Sequence, residues 1–172
     1  MRIGLGFDIH PFAPGRRLVI GGVEIDHTVG LAGHSDADVL LHAIGDALLG
    51  AAALGDIGQH FPPSDPQYRD ISSLVLLGRV RCLVEEAGYT IGNVDASVIA
   101  EGPKLSPHYA GMRQRIADCL GIGMGQVSVK ATTAEGLGTL GRGEGMAAFA
   151  VATLIENPTS QQHRPGIAVP DL

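Results

Sequence analysis

The sequence predicts an α/β fold (α+β-like), a single domain in which one mixed β-sheet carries helices mainly on one face. Three observations point there. Stretches that alternate every second residue are interleaved with stretches whose apolar residues recur every three to four. A chain of 172 residues is long enough to bury a real core within one domain. Its composition, 45% hydrophobic and 17% charged, is that of an ordinary globular protein. Strands and helices in alternation pack as layers around such a core.

Residues 2–10, RIGLGFDIH, alternate as a strand, so Asp8 and His10, two apart, point the same way. Pro11 is expected to end regular pairing there. Arg17–Ile20 and Val23–Ile25 are short strand candidates around a Gly21-Gly22 turn, and a loop follows them. The organising helix spans roughly 36–54. It sets Asp38, His42 and Asp46 at i, i+4 and i+8 as a polar stripe opposite Val39, Leu40, Ala43, Ile44, Ala47 and Leu48. Ser35 or Asp36 is its expected cap. The unpaired amides of the first turn would then make the His34-Ser35 end attractive to phosphate.

Asp56 to Tyr68, with Pro62, Pro63 and Pro66, reads as a loop. A second helix covers about 71–87, with Leu74, Leu77, Val80, Val84 and Ala87 apolar and Gly88 as its stop. Thr90 to Ala100 alternates as a strand. A third helix opens with Ser106 as cap and Pro107 at the first position, and ends near Gly121. Val127, Val129 and Ala131 alternate again before the loop TTAEGLGTLGRGEG. Met146 to Ile155 is a continuous apolar run, expected as a buried strand. Residues 157–172 read as a flexible C-terminal tail, leaving 1–156 as the domain proper.

Charge and composition narrow the function. The net charge is −6 and no Lys/Arg stripe forms, which argues against a nucleic-acid partner. Cys82 and Cys119, without CxxC spacing, read as reduced core residues. MRIGLGFDIH lacks the pattern of a signal peptide, and the longest apolar run, Ala47 to Leu54, is too short to span a bilayer. The expectation is a cytoplasmic protein with no membrane partner.

Several constellations carry chemistry. Asp8, His10 and His42 offer one carboxylate and two imidazoles, a set that suits zinc and leaves a coordination position for substrate. The plainer reading makes His10 a surface residue and His42 a core histidine. His34-Ser35 is either a phosphate contact or a loop histidine before a helix cap. In KATTAE, Thr132 and Thr133 have hydroxyls for phosphate oxygens and Glu135 a carboxylate for a hard cation; all three are also ordinary residues at a strand end. Asp56, Gly58, Ser64 and Asp65 either bind hydroxyls or simply shape turns. Gly136-Leu-Gly-Thr-Leu-Gly141 matches GxGxxG, but a strand-like run follows where a helix and an acid about 20 residues on are required, so dinucleotide binding is rejected. His27, His60, His108 and His163 lack ligand spacing and are read as surface residues.

In order, GFDIH, GHSDADVLLHAIGDALLGAAALGDIGQHFP, GYTIGNVD, PKLSPH, VKATTAEGLG and GRGEG resemble the 2-C-methyl-D-erythritol 2,4-cyclodiphosphate synthases, over about residues 1–156. The resemblance implies a metal-dependent, cyclising phosphorus–oxygen lyase of the non-mevalonate isoprenoid pathway. It would turn 4-diphosphocytidyl-2-C-methyl-D-erythritol 2-phosphate into the cyclic diphosphate and CMP. It also implies a homotrimer with active sites between subunits, Asp8, His10 and His42 as zinc ligands, and Glu135 on a second cation, Mg²⁺ or Mn²⁺. His34 and Thr133 match positions that steady the transition state. Asp56 and Gly58 match contacts to the erythritol part, His34 and Ser35 contacts to its phosphate, and Ile57, Phe61, Ser64 and Asp65 are carried over as further substrate contacts. Residues 100–106, with Ala100, Pro103, Lys104 and Leu105, match the cytidine segment together with Ala131 and Thr132. Arg142 is carried over as a further substrate contact.

Two departures stand out. Pro63 occupies a position where the family commonly has Asp, and Gly138-Thr-Leu-Gly141 lacks the family's frequent Phe. Outside the resemblance, two rivals are weighed. A zinc phosphohydrolase would use Asp38 or Asp46 as base. A non-catalytic trimeric zinc protein would close its ion with a fourth protein ligand.

Overall fold

A computed structural model describes residues 1–157; the expected tail beyond Asn157, with His163, lies outside the described residues. Strand β1 (Arg2–Pro14) runs past the proline expected to stop it. The pairing survives because nothing is asked of the missing N–H. Pro11 accepts from Ala32 N–H at 2.9 Å, and Phe12 N–H donates to Glu144 O at 2.9 Å. At this point β1 changes neighbours. Up to Pro11 it pairs antiparallel with the last strand, and from Phe12 to Pro14 it pairs with residues 29–31.

Strands β2 (Leu18–Ile20) and β3 (Val23–Ile25) form the expected hairpin, turning on Gly21 and Gly22 at φ +61° and +74°. The following loop contains an unforeseen strand, β4 (Val29–Leu31). Helix α1 (Val39–Ala52) starts later than expected, and its cap is Asp38, not Ser35 or Asp36. Asp38 Oδ1 accepts from Leu41 N–H at 3.1 Å and Gly21 N–H at 2.9 Å, and Oδ2 from Gly22 N–H at 2.7 Å. A carboxylate satisfied by three amides outcompetes a hydroxyl for the helix end, and it sits there fully buried.

The proline-rich loop holds one helical turn, α2 (Ile57–His60), capped by Asp56, and a 3-10 turn over Pro66–Tyr68, capped by Asp65. Helix α3 (Ser73–Glu86) is capped by Ser72, and Gly88 follows its end at φ +87° as expected. Strand β5 (Tyr89–Ile99) buries Val94, Ala96 and Val98 on one face. Ser106 does not cap the next helix: it opens a 3-10 turn, Ser106–His108, that leads into α4 (Tyr109–Leu120). After β6 (Val127–Thr132), the glycine-rich loop forms only one turn, α5 (Gly138–Gly141), so no dinucleotide-binding helix exists there. Strand β7 (Gly145–Glu156) is the last element among the described residues.

The main sheet has the order β4-β1-β7-β5-β6, with β5 and β6 parallel and the other pairs antiparallel, as a mixed sheet requires. Helix α1 packs on β1 and β7, α3 on α1, and α4 on β6. Leu40, Leu41, Leu48 and Leu49 of α1 are fully buried, each contributing about 1.5–3 kcal/mol. Glycine lets α1 come this close. A Cβ on Gly4 would meet Ala47 O at 2.0 Å, and one on Gly6 would meet Ala43 O at 1.9 Å.

Two expectations fail on exposure. β7 is not buried throughout: Phe149, Val151 and Ile155 lie open beside Ile3, Leu5, Phe7 and Ile9 of β1, forming an uncovered apolar sheet face. Among the described residues helices cover only the opposite face, so alternate residues of the apolar run have no cover from them. Cys82 is likewise exposed, on the outer side of α3, while Cys119 is half-buried and donates its thiol to Leu74 O at 3.2 Å.

Candidate active site

The face of β1 that meets α1 reads Gly4, Gly6, Asp8, His10. The two glycines admit the helix, and beyond them Asp8 and His10 meet His42, which lies on the next turn. Asp8 Oδ2 is 2.9 Å from both His10 Nε2 and His42 Nδ1, and the two ring nitrogens are 3.2 Å apart. Around an ion with bonds of about 2.0–2.1 Å, tetrahedral ligand atoms lie about 3.3–3.4 Å apart. The three atoms stand within about 0.5 Å of that spacing and are of the donor types zinc prefers. Among the described residues this is the one cluster of three such ligands.

The electrostatics fit a cation. Burial would raise the Asp8 carboxyl, but the hydrogen bonds and charge of His10 and His42 outweigh it and hold the group well below the usual carboxylate range. Burial would lower His42, but Asp8, with Asp38 and Asp36 behind it, outweighs that and raises it. Burial raises Asp46, partly offset by the N–H of Ile57.

A cavity of about 200 Å³ opens over the triad, lined by His10, His34, Ser35, His42, Ile57, Gly58, Phe61, Pro63, Tyr68 and Leu76. Ser35 Oγ lies 3.1 Å from His42 Nε2, and His34 Nε2 is 3.4 Å from Asp65 O. Of the first-turn amides expected to draw phosphate to His34-Ser35, that of Leu41 is taken by the Asp38 carboxylate. His34 and Ser35 stand before the helix, on the cavity wall. Asp56 is exposed, its oxygens accepting from Gln59 N–H and Nε2–H at 2.9 and 2.7 Å, and the Gln59 amide holds its pKa down. Ser64 is exposed, and Asp65 accepts from Gln67.

The remaining candidates lie elsewhere on the chain. Ala100, Glu101, Pro103, Lys104, Leu105, Ser106, Tyr109, Ala131, Thr132 and Thr133 line a separate cavity of about 410 Å³. Thr133 donates to Glu135 Oε1 at 2.5 Å, and Glu101 Oε1 accepts from Ala134 N–H at 2.9 Å. Arg142 is exposed, paired with Glu144 at 2.6 Å, and lines neither cavity. The candidate residues thus fall in two separate places: the triad with His34 and Ser35, and the 100–106 segment with Thr132 and Thr133.

Sequence reasoning missed Ser73, whose Oγ is 3.0 Å from His42 Nε2. Its only signal was a serine near the start of a predicted helix. Tyr68 and Leu76, which wall the triad cavity, gave no signal at all.

Comparison with known proteins decides the family. The YgbB family profile matches residues 1–155, nearly all of the described chain. The chain belongs to the YgbB family. Among relatives, 2-C-methyl-D-erythritol 2,4-cyclodiphosphate synthase from Chlorobium phaeobacteroides (strain BS1) is 60% identical over 156 residues, 91% of this chain and 98% of the relative. The Moorella thermoacetica protein of the same name is 59% identical, over 91% of this chain and 96% of its own. Among solved YgbB-like structures, the CDP complex of IspF from Plasmodium falciparum aligns with a TM-score of 0.80 at 38% identity, covering 91% of this chain and 96% of that one. The bifunctional IspDF of Campylobacter jejuni aligns at 0.87 and 42% identity over 90% of this chain, which spans 42% of that longer protein's length.

Proposed function

We propose that residues 1–156 form a 2-C-methyl-D-erythritol 2,4-cyclodiphosphate synthase domain of the non-mevalonate isoprenoid pathway. It closes 4-diphosphocytidyl-2-C-methyl-D-erythritol 2-phosphate into 2-C-methyl-D-erythritol 2,4-cyclodiphosphate and releases CMP. The activity follows from family membership and from relatives of that name at about 60% identity along nearly their whole length. The observation that carries the metal-dependent reading is the meeting of Asp8, His10 and His42 under an open cavity.

In this reaction an oxygen of the substrate's own 2-phosphate forms a bond to the β-phosphorus. The β-phosphorus–oxygen bond to the cytidylyl phosphate breaks, and CMP departs with the electron pair. Because the nucleophile belongs to the substrate, the chain needs no serine, cysteine or base. Its task is to hold the ends of one molecule together, which in favourable intramolecular cases lowers a barrier by about 7 kcal/mol or more. Asp8, His10 and His42 would hold Zn²⁺, and Glu135 a second ion, Mg²⁺ or Mn²⁺; when bound, such ions neutralise charge developing on the phosphates. Ser35 and His34 take the 2-phosphate. Asp56 and Gly58 take the erythritol part, with Ile57, Phe61, Ser64 and Asp65 as further substrate contacts beside them. Ala100, Pro103, Lys104, Leu105, Ala131 and Thr132 take the cytidine, and Arg142 contributes a more distant contact. His34 and Thr133 donate to oxygens whose charge grows in the transition state.

The working unit in this proposal is a homotrimer. Two features support it: the two groups of candidate residues, its half-sites, line separate cavities, and the apolar face of β1 and β7 is open, with Ile3 and Leu5 exposed at 65% and 67%. Among the described residues no helix is long and apolar enough to cross a membrane. A reducing cytoplasm suits the unpaired Cys82 and Cys119. Neither rival reading gains support. Asp38 and Asp46, proposed as hydrolytic bases, already accept from backbone amides, and the triad has no fourth ligand among the described residues.

The test is incubation of the zinc-loaded protein with the diphosphocytidyl substrate and Mg²⁺, followed by phosphorus NMR. CMP and the cyclic diphosphate are expected, and His42→Ala should lose both zinc and CMP release while keeping its fold. Inorganic phosphate in place of CMP would establish the hydrolase instead.

A further inference from the structure

Behind His42, on the side away from Asp8, lies a buried polar chain. Ser73, only 1% exposed, donates its hydroxyl to Asp36 Oδ1 at 2.5 Å, and its backbone N–H is 3.1 Å from both oxygens of the same carboxylate. Its Oγ is also 3.0 Å from His42 Nε2. We propose that Ser73 and Asp36 are positioning residues: with zinc bound, they keep the His42 proton on Nε2 and so leave Nδ1 to the ion it would share with Asp8 and His10. The proposal rests on the metal reading above.

The logic is one of donors and acceptors. A carboxylate only accepts, so the Ser73 hydroxyl proton is committed to Asp36. What Ser73 then presents to His42 is a lone pair, and a lone pair binds a protonated Nε2. In the metal-free chain Nδ1 shares a proton with Asp8 Oδ2, 2.9 Å away; when zinc displaces that proton, the neutral imidazole keeps its one N–H on Nε2 and Nδ1 offers its lone pair to the ion. Ser35 Oγ, 3.1 Å from Nε2, accepts from Ala37 N–H at 3.1 Å, and with its own proton given to Ser73 Oγ, 3.4 Å away, it offers Nε2 a lone pair as well. The frame around this chain is fixed by the backbone. Asp70 N–H donates to His34 O at 2.8 Å, and Asp36 N–H donates to Ile71 O at 3.0 Å. The loop before α1 and the start of α3 are thereby sewn together across the ring of His42. Outer partners of this kind commonly set ligand orientation and basicity.

Asp36→Asn is the sharpest test, because it preserves shape and reverses chemistry. The new amide can donate to Ser73 Oγ, releasing that hydroxyl to donate to His42 Nε2 and select the other tautomer. Zinc is titrated into the metal-free full chain against a chromophoric chelator, for wild type, Asp36→Asn, Ser73→Ala and Ser72→Ala. Asp36→Asn and Ser73→Ala should bind zinc about 10–100-fold more weakly, the range typical of losing such a partner. Ser72→Ala removes the neighbouring cap, whose Oγ accepts from Leu74 N–H at 3.3 Å, and should bind zinc as the wild type does. Nitrogen-15 NMR of the zinc-loaded wild type should show a protonated His42 Nε2 and a metal-shifted Nδ1, whether or not the variants fold.

Wild-type zinc affinity in Asp36→Asn and Ser73→Ala, equal weakening by Ser72→Ala, or metal on Nε2 would each overturn the positioning role. A wild type that takes up no zinc would overturn the metal reading itself, and this proposal with it.

Discussion

Asp46 Oδ1 accepts a 2.8 Å hydrogen bond from the backbone N–H of Ile57, one helical turn beyond His42 on α1. The helix that carries a candidate metal ligand therefore also holds the turn that carries Ile57 and Gly58 on the cavity wall. Asp46→Ala removes this anchor without touching the triad. A lost hydrogen bond of about 1 kcal/mol should raise KM about fivefold and leave kcat and zinc content near wild type. Steady-state CMP release and metal analysis check both halves of the prediction.

Thr133 belongs to the other cavity and has no part in the triad. If it donates to oxygens at the reacting phosphorus, Thr133→Ala should lower kcat on the order of 100-fold, as the loss of one transition-state donor does. Zinc affinity should stay at the wild-type value, and Thr133→Ser should recover most of the rate. Loss of metal in step with the rate would remove Thr133 from this role.

The open apolar face gives a third test. Leu5→Glu places a carboxylate in its middle, where an assembled trimer would have to bury it unpaired. Sedimentation should then report a monomer that still takes up one zinc per chain but releases no CMP, since the half-sites would no longer meet. A monomeric variant with full turnover would show that one chain suffices.

Asp38 ties stability to pH. Burial pushes its carboxyl up to about 6, against the three amides that pull it down and with Asp36 adding repulsion. In the unfolded chain the group ionises near 3.9. Between those values the folded protein holds the extra proton, so stability is fully present below about 4 and is lost as pH rises through about 6. The loss is on the order of 3 kcal/mol for a shift of roughly two pH units. Denaturant unfolding of the metal-free protein from pH 4 to 7 should show this slope in the wild type and not in Asp38→Asn. The difference between the two proteins reports Asp38 together with the part of the His42 shift that Asp38 causes.

Much of this was readable from residue order. Asp8 and His10 had to share a face because strands repeat every two residues, and His42 had to lie on a helix because the residues around it repeat every three to four. What stayed hidden is what depends on distant partners. The residues of β1 that face the helix are the glycines and the ligands, while the apolar Ile3, Leu5, Phe7 and Ile9 look outward. Hydrophobicity alone would choose the reverse, yet among the described residues nothing covers that side. Asp38 reads as one of three polar residues in a stripe, and only the Gly21-Gly22 turn, 16 and 17 residues away, makes it a buried cap. Ser73 is 31 residues from His42, and no local pattern links them.

The glycines of β1 have a consequence for the chemistry. With no side chain at Gly4 and Gly6, nothing but backbone separates sheet from helix, so that gap also sets how far His42 stands from Asp8 and His10. A methyl group at Gly6 would come within 1.9 Å of Ala43 O, and to relieve it the helix must lift, taking the imidazole with it. Coordination in this protein can therefore be lost by a wedge driven in at a distance, with every ligand still in the sequence.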